Sequence, residues 1–470
     1  MKSGVGLVFC VLVTRRAKLL FHFSVLYLFQ TAFPERKHVI AFWLSLPLEF
    51  RVLLVGAFGI LGGALANHIV YAFAYYNQRN ISPWGAPPEN APPRQWSDKI
   101  PVVGWLGLRR ESSLHGNGFW IRPLLIELGT AVSLMLLFRF ETMSGGLLPA
   151  SLQVPLVIGQ FEIAATHVFF AHAILCVLMI AATFIDFDEK IIPDVITIPG
   201  TLIALVMASW STMIYMPTML PVGGFPQGYL PTTFDSPWFQ TPNEWLVTSK
   251  GLWLGLAIWS FWCFALLDRR WSTMVWRRRG LTRALRHFFN GVFHYGFWKV
   301  LAVIWVLGLF GIYWVNGLGG AHWHGLFTAL VGLAVGGGII WSIRILAALA
   351  LNKEAMGFGD VTLMAMIGAF IGWQGAAMAF FLSPFAAIAI VLVRFILTRD
   401  HYTPFGPYLC AGALMTILYW DRFYNGYLAF NLFTIGEMLL AICAVMLVLM
   451  GVMLFVWRLI QTALYLERAE

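Results

Sequence analysis

The stretch IAATHVFFAHAILCVLMIAATFIDFDEKIIPDVITIPG, residues 163–200, decides the fold. From Ile163 to Ile185 it holds no Asp, Glu, Lys or Arg, and about 20 such residues in a helix cross a bilayer. Asp186, Asp188, Glu189, Lys190 and Asp194 then crowd around Pro193 before the apolar run resumes. That pattern predicts two membrane helices joined by a turn at one surface. Runs of the same kind recur through all 470 residues, which are 59% hydrophobic and only 11% charged. A soluble domain cannot hide so many. The runs lack period-2 alternation, so they are helices and not barrel strands. The fold class expected is an all-α polytopic integral membrane protein.

Spans are predicted near 52–75, 123–140, 163–185, 194–216, 251–267, 299–316, 324–350, 361–373, 375–396, 405–420 and 435–457, about eleven in all. Threading them sorts Lys and Arg by side. Arg79, Arg94, Lys99, Arg109, Arg110, Lys190, Lys353, Arg399 and the cluster from Arg269 to Arg286 fall on one side, with Lys250 and Arg422 the main exceptions. The basic side is the expected cytoplasmic one, which also accounts for the net charge of +9. Residues 1–50 are hydrophobic but broken by TRRAK. One further short helix, or a start codon placed too early, both fit them, and no signal-peptide cleavage site follows. Residues 76–122 read as a cytoplasmic loop rich in Pro and Gly. Residues 217–248 read as a loop on the far side with no nameable chemistry. The basic, Trp-rich insert 268–298 reads as a helix lying on anionic lipid headgroups, not as a nucleic-acid surface.

The acids differ in cost. Asp188 and Glu189 are expected to be solvated turn residues. Asp194, beside Pro193, suits a helix start and its dipole. Asp186 follows an unbroken apolar run and has no cap to make, and a carboxylate at membrane depth is functional by default. A second acid stands in an equivalent place. In NKEAMGFGDVTLMAMIGAFIGWQG, residues 352–375, Gly357 and Gly359 allow a tight turn and close approach, and Asp360 opens the next span. Alone, Asp360 could be an N-cap. Paired with Asp186 on the same face, it suggests two carboxyls sharing a proton, one as general base on water and one polarising a scissile carbonyl. No Ser/His/Asp or HExxH signature competes. His167 and His172 share no helix face and read as core or lumen-lining. The five cysteines form no CxxC pair and read as small buried hydrophobes.

FIDFDEKIIPDVITIPG resembles the ID-x-D-x-x-x-x-PD-x-x-T signature of the type IV prepilin peptidases. GFGDVTLMAMIGAFIGWQG resembles their GxGD segment, and YTPFGPYLCAGALM, residues 402–415, the PFGP motif that follows. KIPVVGWLGLRR, residues 99–110, IRPLLIELGTA, residues 121–131, and GALANHIVYAFAY, residues 63–75, are similar to the family's loop, second-span and first-span segments. The resemblance implies a bacterial inner-membrane aspartic peptidase of GxGD type. It would cut the basic leader from type IV prepilins or pseudopilins at the cytoplasmic face. Asp186 and Asp360 would be its catalytic pair, with Gly357, Gly359, Pro193 and Asp194 supporting them. On this basis residues 51–140 form the N-terminal region, 141–420 the membrane catalytic domain and 421–470 a C-terminal helix. The implied partners are the substrate helices and the lipid bilayer, with no nucleic acid.

The chain departs from the family pattern in three places. Zinc-bearing members carry two CxxC pairs in the first loop. The corresponding positions here, Ser82–Gly85 and Ser112–His115, hold no thiol, so no zinc is expected. Many members methylate the new N-terminus with S-adenosylmethionine, but no glycine-rich cofactor loop is visible here. The lysine usual after GxGD is Thr362, and the insert at 268–298 enlarges the layout. Three other readings stand beside the peptidase. One is a GxGD protease of the presenilin kind, against which ID and PFGP replace YD and PAL. Another is a proton- or ion-coupled transporter using the membrane acids. The third is an inactive assembly protein.

Overall fold

A computed structural model describes residues 42–74, 80–149, 153, 155–222, 225–237, 248–267, four positions between 280 and 286, 297–351, 356–398, 404–436 and 438–467. Residues 1–41 and nearly all of the 268–298 insert lie outside the described residues, so the expectations for them are not addressed. The chain divides into two compact units, 1–54 and 55–470; all contacts below belong to the second.

Helices fall on the expected spans: α1 (Leu48–Phe73), α2 (Ile121–Phe138), α3 (Pro155–Glu189), α4 (Asp194–Trp210), α5 (Ser249–Ala265), α6 (Phe297–Leu318), α7 (Gly320–Leu351), α8 (Phe358–Thr398), α9 (Gly406–Leu418) and α10 (Met438–Glu467). Among the described residues, seven helical segments are long and apolar enough to cross a membrane, and two shorter apolar helices join them. The protein is a multi-pass membrane protein.

Two of the expected spans, 361–373 and 375–396, lie within α8. Gly372 breaks it with φ 75° and ψ 171°, a conformation only glycine adopts easily. The two arms, 358–371 and 373–398, fold back on one another, because a Cβ placed on Gly368 would lie 3.4 Å from that of Ala376. Both arms press on α7, where Gly336 also meets Ala376. Small residues let membrane helices approach this closely. On α1, Gly63 lies against the backbone of Glu127 in α2 by the same device.

The far end of the bundle departs from expectation. The stretch 217–248 is not a bare loop, since Pro217–Val222 (β1) and Phe225–Pro231 (β2) form an antiparallel hairpin. The residues after it cover the break in α8. Trp373 Nε1 donates to the Phe234 carbonyl at 2.9 Å, and Gln374 Nε2 donates to Thr233 at 2.6 Å and Ser236 at 3.1 Å. Irregular backbone at membrane depth is tolerated where protein groups satisfy it in this way.

At the opposite end, residues 80–120 fold into a small module. Its buried acids are each partnered. Asp98 pairs with Arg110. Glu127, fully buried in α2, accepts from Trp105 Nε1 at 2.7 Å, the Val102 N–H at 2.5 Å and Asn67 Nδ2 at 3.1 Å. Glu127 thereby ties the module to α1 and α2.

Candidate active site

The turn between α3 and α4 builds one half of the site. Helix α3 runs through Phe187, Asp188 and Glu189, so the turn is shorter than expected and occupies Lys190 to Pro193. Lys190 takes φ 59° to make it. Pro193 stands at the N-cap position of α4 and Asp194 is its first residue, where an acid meets the positive end of the helix dipole. Pro193 and Asp194 therefore shape the turn.

Asp186, one turn before the end of α3, is 3% exposed. The Gly406 N–H, at the start of α9, donates to its Oδ2 at 3.0 Å. The other half comes from α8. Asp360 lies in the first turn, is 7% exposed, and accepts a backbone hydrogen bond from Gly357. This is a capping contact made from the third residue of the helix, so Asp360 is not itself the N-cap, a position that Gly357 holds. The two carboxyl groups lie within electrostatic reach of one another. Gly359 explains the approach. A Cβ there would come 3.0 Å from Ile192 Cβ and 3.1 Å from the Ile192 carbonyl oxygen, so only a residue without a side chain lets α8 lie on the α3–α4 turn.

Three segments far apart in sequence, 186–192, 357–360 and 405–406, thus converge on two buried acids at one end of the bundle. The sequence reading missed Gly406 as a partner of Asp186, although the PFGP motif marked the place. Cys410 is the small buried residue that was expected. Cys410 is buried one turn into α9, bonded to Thr183, and feels the charge of both acids. Thr362, where the family has lysine, is buried and donates to the Gly359 carbonyl at 3.0 Å, so the position serves the loop and carries no charge.

The remaining candidates lie elsewhere. Asp188 is a helical residue held by both Arg122 nitrogens at 3.0 and 2.8 Å, with 44% of its side chain exposed. An ion pair that exposed contributes about 0–1 kcal/mol. Asp188→Asn is therefore expected to retain at least roughly half the activity of the parent. Loss beyond tenfold in a leader-cleavage assay would make Asp188 the reacting acid in place of Asp186. His172 is fully buried and bonded to Glu141 at 2.6 Å, a core pair, while His167 bonds the Ile163 carbonyl. At the far end His324 meets Asp235 at 3.1 Å, but Thr233 Oγ1 donates to that same Asp235 and not to the imidazole, so no activated hydroxyl results. Among the described residues no three His, Cys, Asp or Glu side chains gather to hold a metal.

Residues 297–392 match the type IV leader peptidase family. The matched segment contains the GxGD loop, Asp360 and all of α7, and ends before Gly406; Asp186 lies outside it. Curated relatives share the name prepilin leader peptidase/N-methyltransferase. The Aeromonas salmonicida protein is 35% identical over 105 residues, 22% of this chain and 36% of its own length. That of Stutzerimonas stutzeri is 36% identical over 137 residues, 28% of this chain and 44% of its own. That of Escherichia coli K12 is 32% identical over 96 residues, 20% and 43%. The chain thus matches less than half the length of these relatives. No solved structure matches it.

Proposed function

We propose that this chain is an aspartic endopeptidase that removes the basic leader from prepilin-like membrane helices, with Asp186 and Asp360 as the reacting pair. The observation that carries it is the convergence of three sequence-distant segments on two buried acids. A carboxylate at membrane depth is too costly to keep without a task, and two carboxyls within electrostatic reach of one another favour one shared proton. The Gly406 N–H holds Oδ2 of Asp186, and the reading assigns its other oxygen to the attacking water. The ionised carboxyl removes a proton from that water as its oxygen attacks the scissile carbonyl carbon. The protonated carboxyl gives its proton to the carbonyl oxygen. Collapse of the tetrahedral intermediate breaks the C–N bond, the leaving amine takes a proton from the first acid, and the second regains its own.

The cleaved bond would lie at the cytoplasmic face of a bacterial inner membrane, where the basic residues cluster. The apolar body of the substrate has a bed beside it. A cavity of about 450 Å³ lies between α5, α7 and the first arm of α8. Trp262, Phe261 and Trp341 line it with Val361 and Thr362, the two residues after Asp360. Gly338 also lines it, and a side chain there would enter open space. Gly338→Leu should therefore fill the bed without disturbing the fold. The expected result is a rise in KM of about tenfold for a membrane-anchored prepilin, in line with one or two side chains of lost apolar contact, with kcat little changed. An unchanged KM would place the substrate elsewhere.

The primary test is direct. Purified protein in vesicles is given a prepilin with a basic leader, and the product is sized by mass. Release of the leader supports the reading. No cleavage, together with acid-dependent proton or ion flux across the same vesicles, would replace it with a transporter.

A further inference from the structure

We infer that a buried ion pair, Arg94–Glu111, fastens the 80–120 module at the place where cysteine-bearing members of the family would hold a metal. The metal does not fit this chain. Positions 82–85 and 112–115 offer Ser, Gly, Ser and His in place of four thiols, and no metal-holding cluster exists among the described residues. One guanidinium stands there instead. Arg94 Nε and Nη2 grip both oxygens of Glu111 at 3.0 and 2.9 Å. Nη1 donates to the carbonyls of Ser82 at 2.6 Å and Gly85 at 3.1 Å, and Nη2 to that of Asn80 at 2.5 Å. All five donors of the fork are used. The pair is closed to solvent, with the Arg94 side chain 8% exposed and that of Glu111 not at all.

The connection has the layout of a metal staple. The Arg94 fork holds the 82–85 turn by its backbone. Glu111 stands immediately before Ser112, and His115 Nε2 lies 3.4 Å from its Oε2. The two segments that would each give two thiols are therefore joined through one cation and one carboxylate. Such a joint is indifferent to chelators and to thiol oxidation. It is intolerant of losing either charge, because the partner is then buried unpaired. Lysine cannot replace the arginine, having three donors on a point charge and no fork.

The test is limited proteolysis of the full-length protein in vesicles, read within residues 80–120. The wild-type module should resist cleavage equally with and without a strong zinc chelator. Arg94→Ala and Arg94→Lys should each be cut there at least about tenfold faster, as loss of a buried partner implies, while the membrane-embedded fragments stay whole. In the Arg94→Ala, Glu111→Ala background, Ser82→Cys, Gly85→Cys, Ser112→Cys and His115→Cys are then added. Zinc should restore resistance and the chelator should remove it. If the Arg94 variants do not accumulate, the same four cysteines in the wild-type background must still bind zinc. Chelator-sensitive protection of the wild type, unchanged resistance of Arg94→Ala, or cysteines that fail to bind zinc would each overturn the inference. None of these outcomes bears on Asp186 and Asp360, so the staple and the peptidase reading stand or fall separately.

Discussion

Asp186→Asn and Asp360→Asn should each lower leader cleavage by at least about 10²–10⁴-fold, the range that a positioned acid or base contributes. Each removes a proton acceptor or donor while keeping side-chain volume. The fold should survive, because an amide oxygen can still accept from the Gly406 N–H at position 186 and from Gly357 at position 360. The two losses should not multiply. Residues that act as a unit are non-additive, so the double variant should be about as inactive as either single one. Measured on protein of matched abundance in vesicles, near-normal cleavage by either single variant would remove that residue from the pair. A double variant markedly worse than both singles would mean that the two acids act independently.

Gly406→Ala is the second large effect, and it contains no change of charge or polarity. A methyl at position 406 would run into Asp186 Oδ2 and lie 2.8 Å from Ile192 Cδ1. Asp186 must then move, and the hydrogen bond that sets its orientation is lost. A hydrogen bond to a charged group contributes about 1.5–3 kcal/mol, and a displacement of about 1 Å at a reacting group can cost about 10²-fold. The expected result is a fall in kcat of about 100-fold with KM little changed, since the apolar bed is untouched. Normal kcat would show that the Gly406 N–H does not orient Asp186 during the reaction. Cys410→Ser, one turn further into the helix, serves as the comparison and should cost far less.

The sequence made Asp186 and Asp360 visible because each breaks an apolar run, and that anomaly survives without any three-dimensional information. It misplaced Asp188 and Glu189, since helix propensity and a long-range partner, Arg122, extend α3 beyond the point where the apolar run ends. Gly406 was invisible for a different reason. Its contribution is a backbone N–H, which every residue but proline possesses, and only the fold decides which one faces a carboxylate. The Arg94–Glu111 pair was hidden likewise. Charge sorting placed Arg94 on the basic side and said nothing of its burial, which its five bonds create. The hairpin at 217–231 escaped because four Pro and one Gly fall within its two strands, and both residues are depleted in ordinary sheets. Paired apolar spans in 361–396 were legible from length, and the structure places Gly372 at the fold-back between them.

The break in α8 has a bearing on the lipid around the protein. From Asp360 to Gly372 the first arm climbs about 18 Å at 1.5 Å per residue, whereas the hydrocarbon of a typical bilayer is about 30 Å thick. Because the 232–236 segment is bonded to the tip of that arm, the polar groups of the two ends stand closer together than a full membrane thickness. Surrounding helices shelter this arm from acyl chains, since every residue from Val361 to Ile371 is buried. A span too short for the bilayer therefore carries no elastic cost here, because only a helix that lipid does not touch can stop so far short of the opposite headgroups.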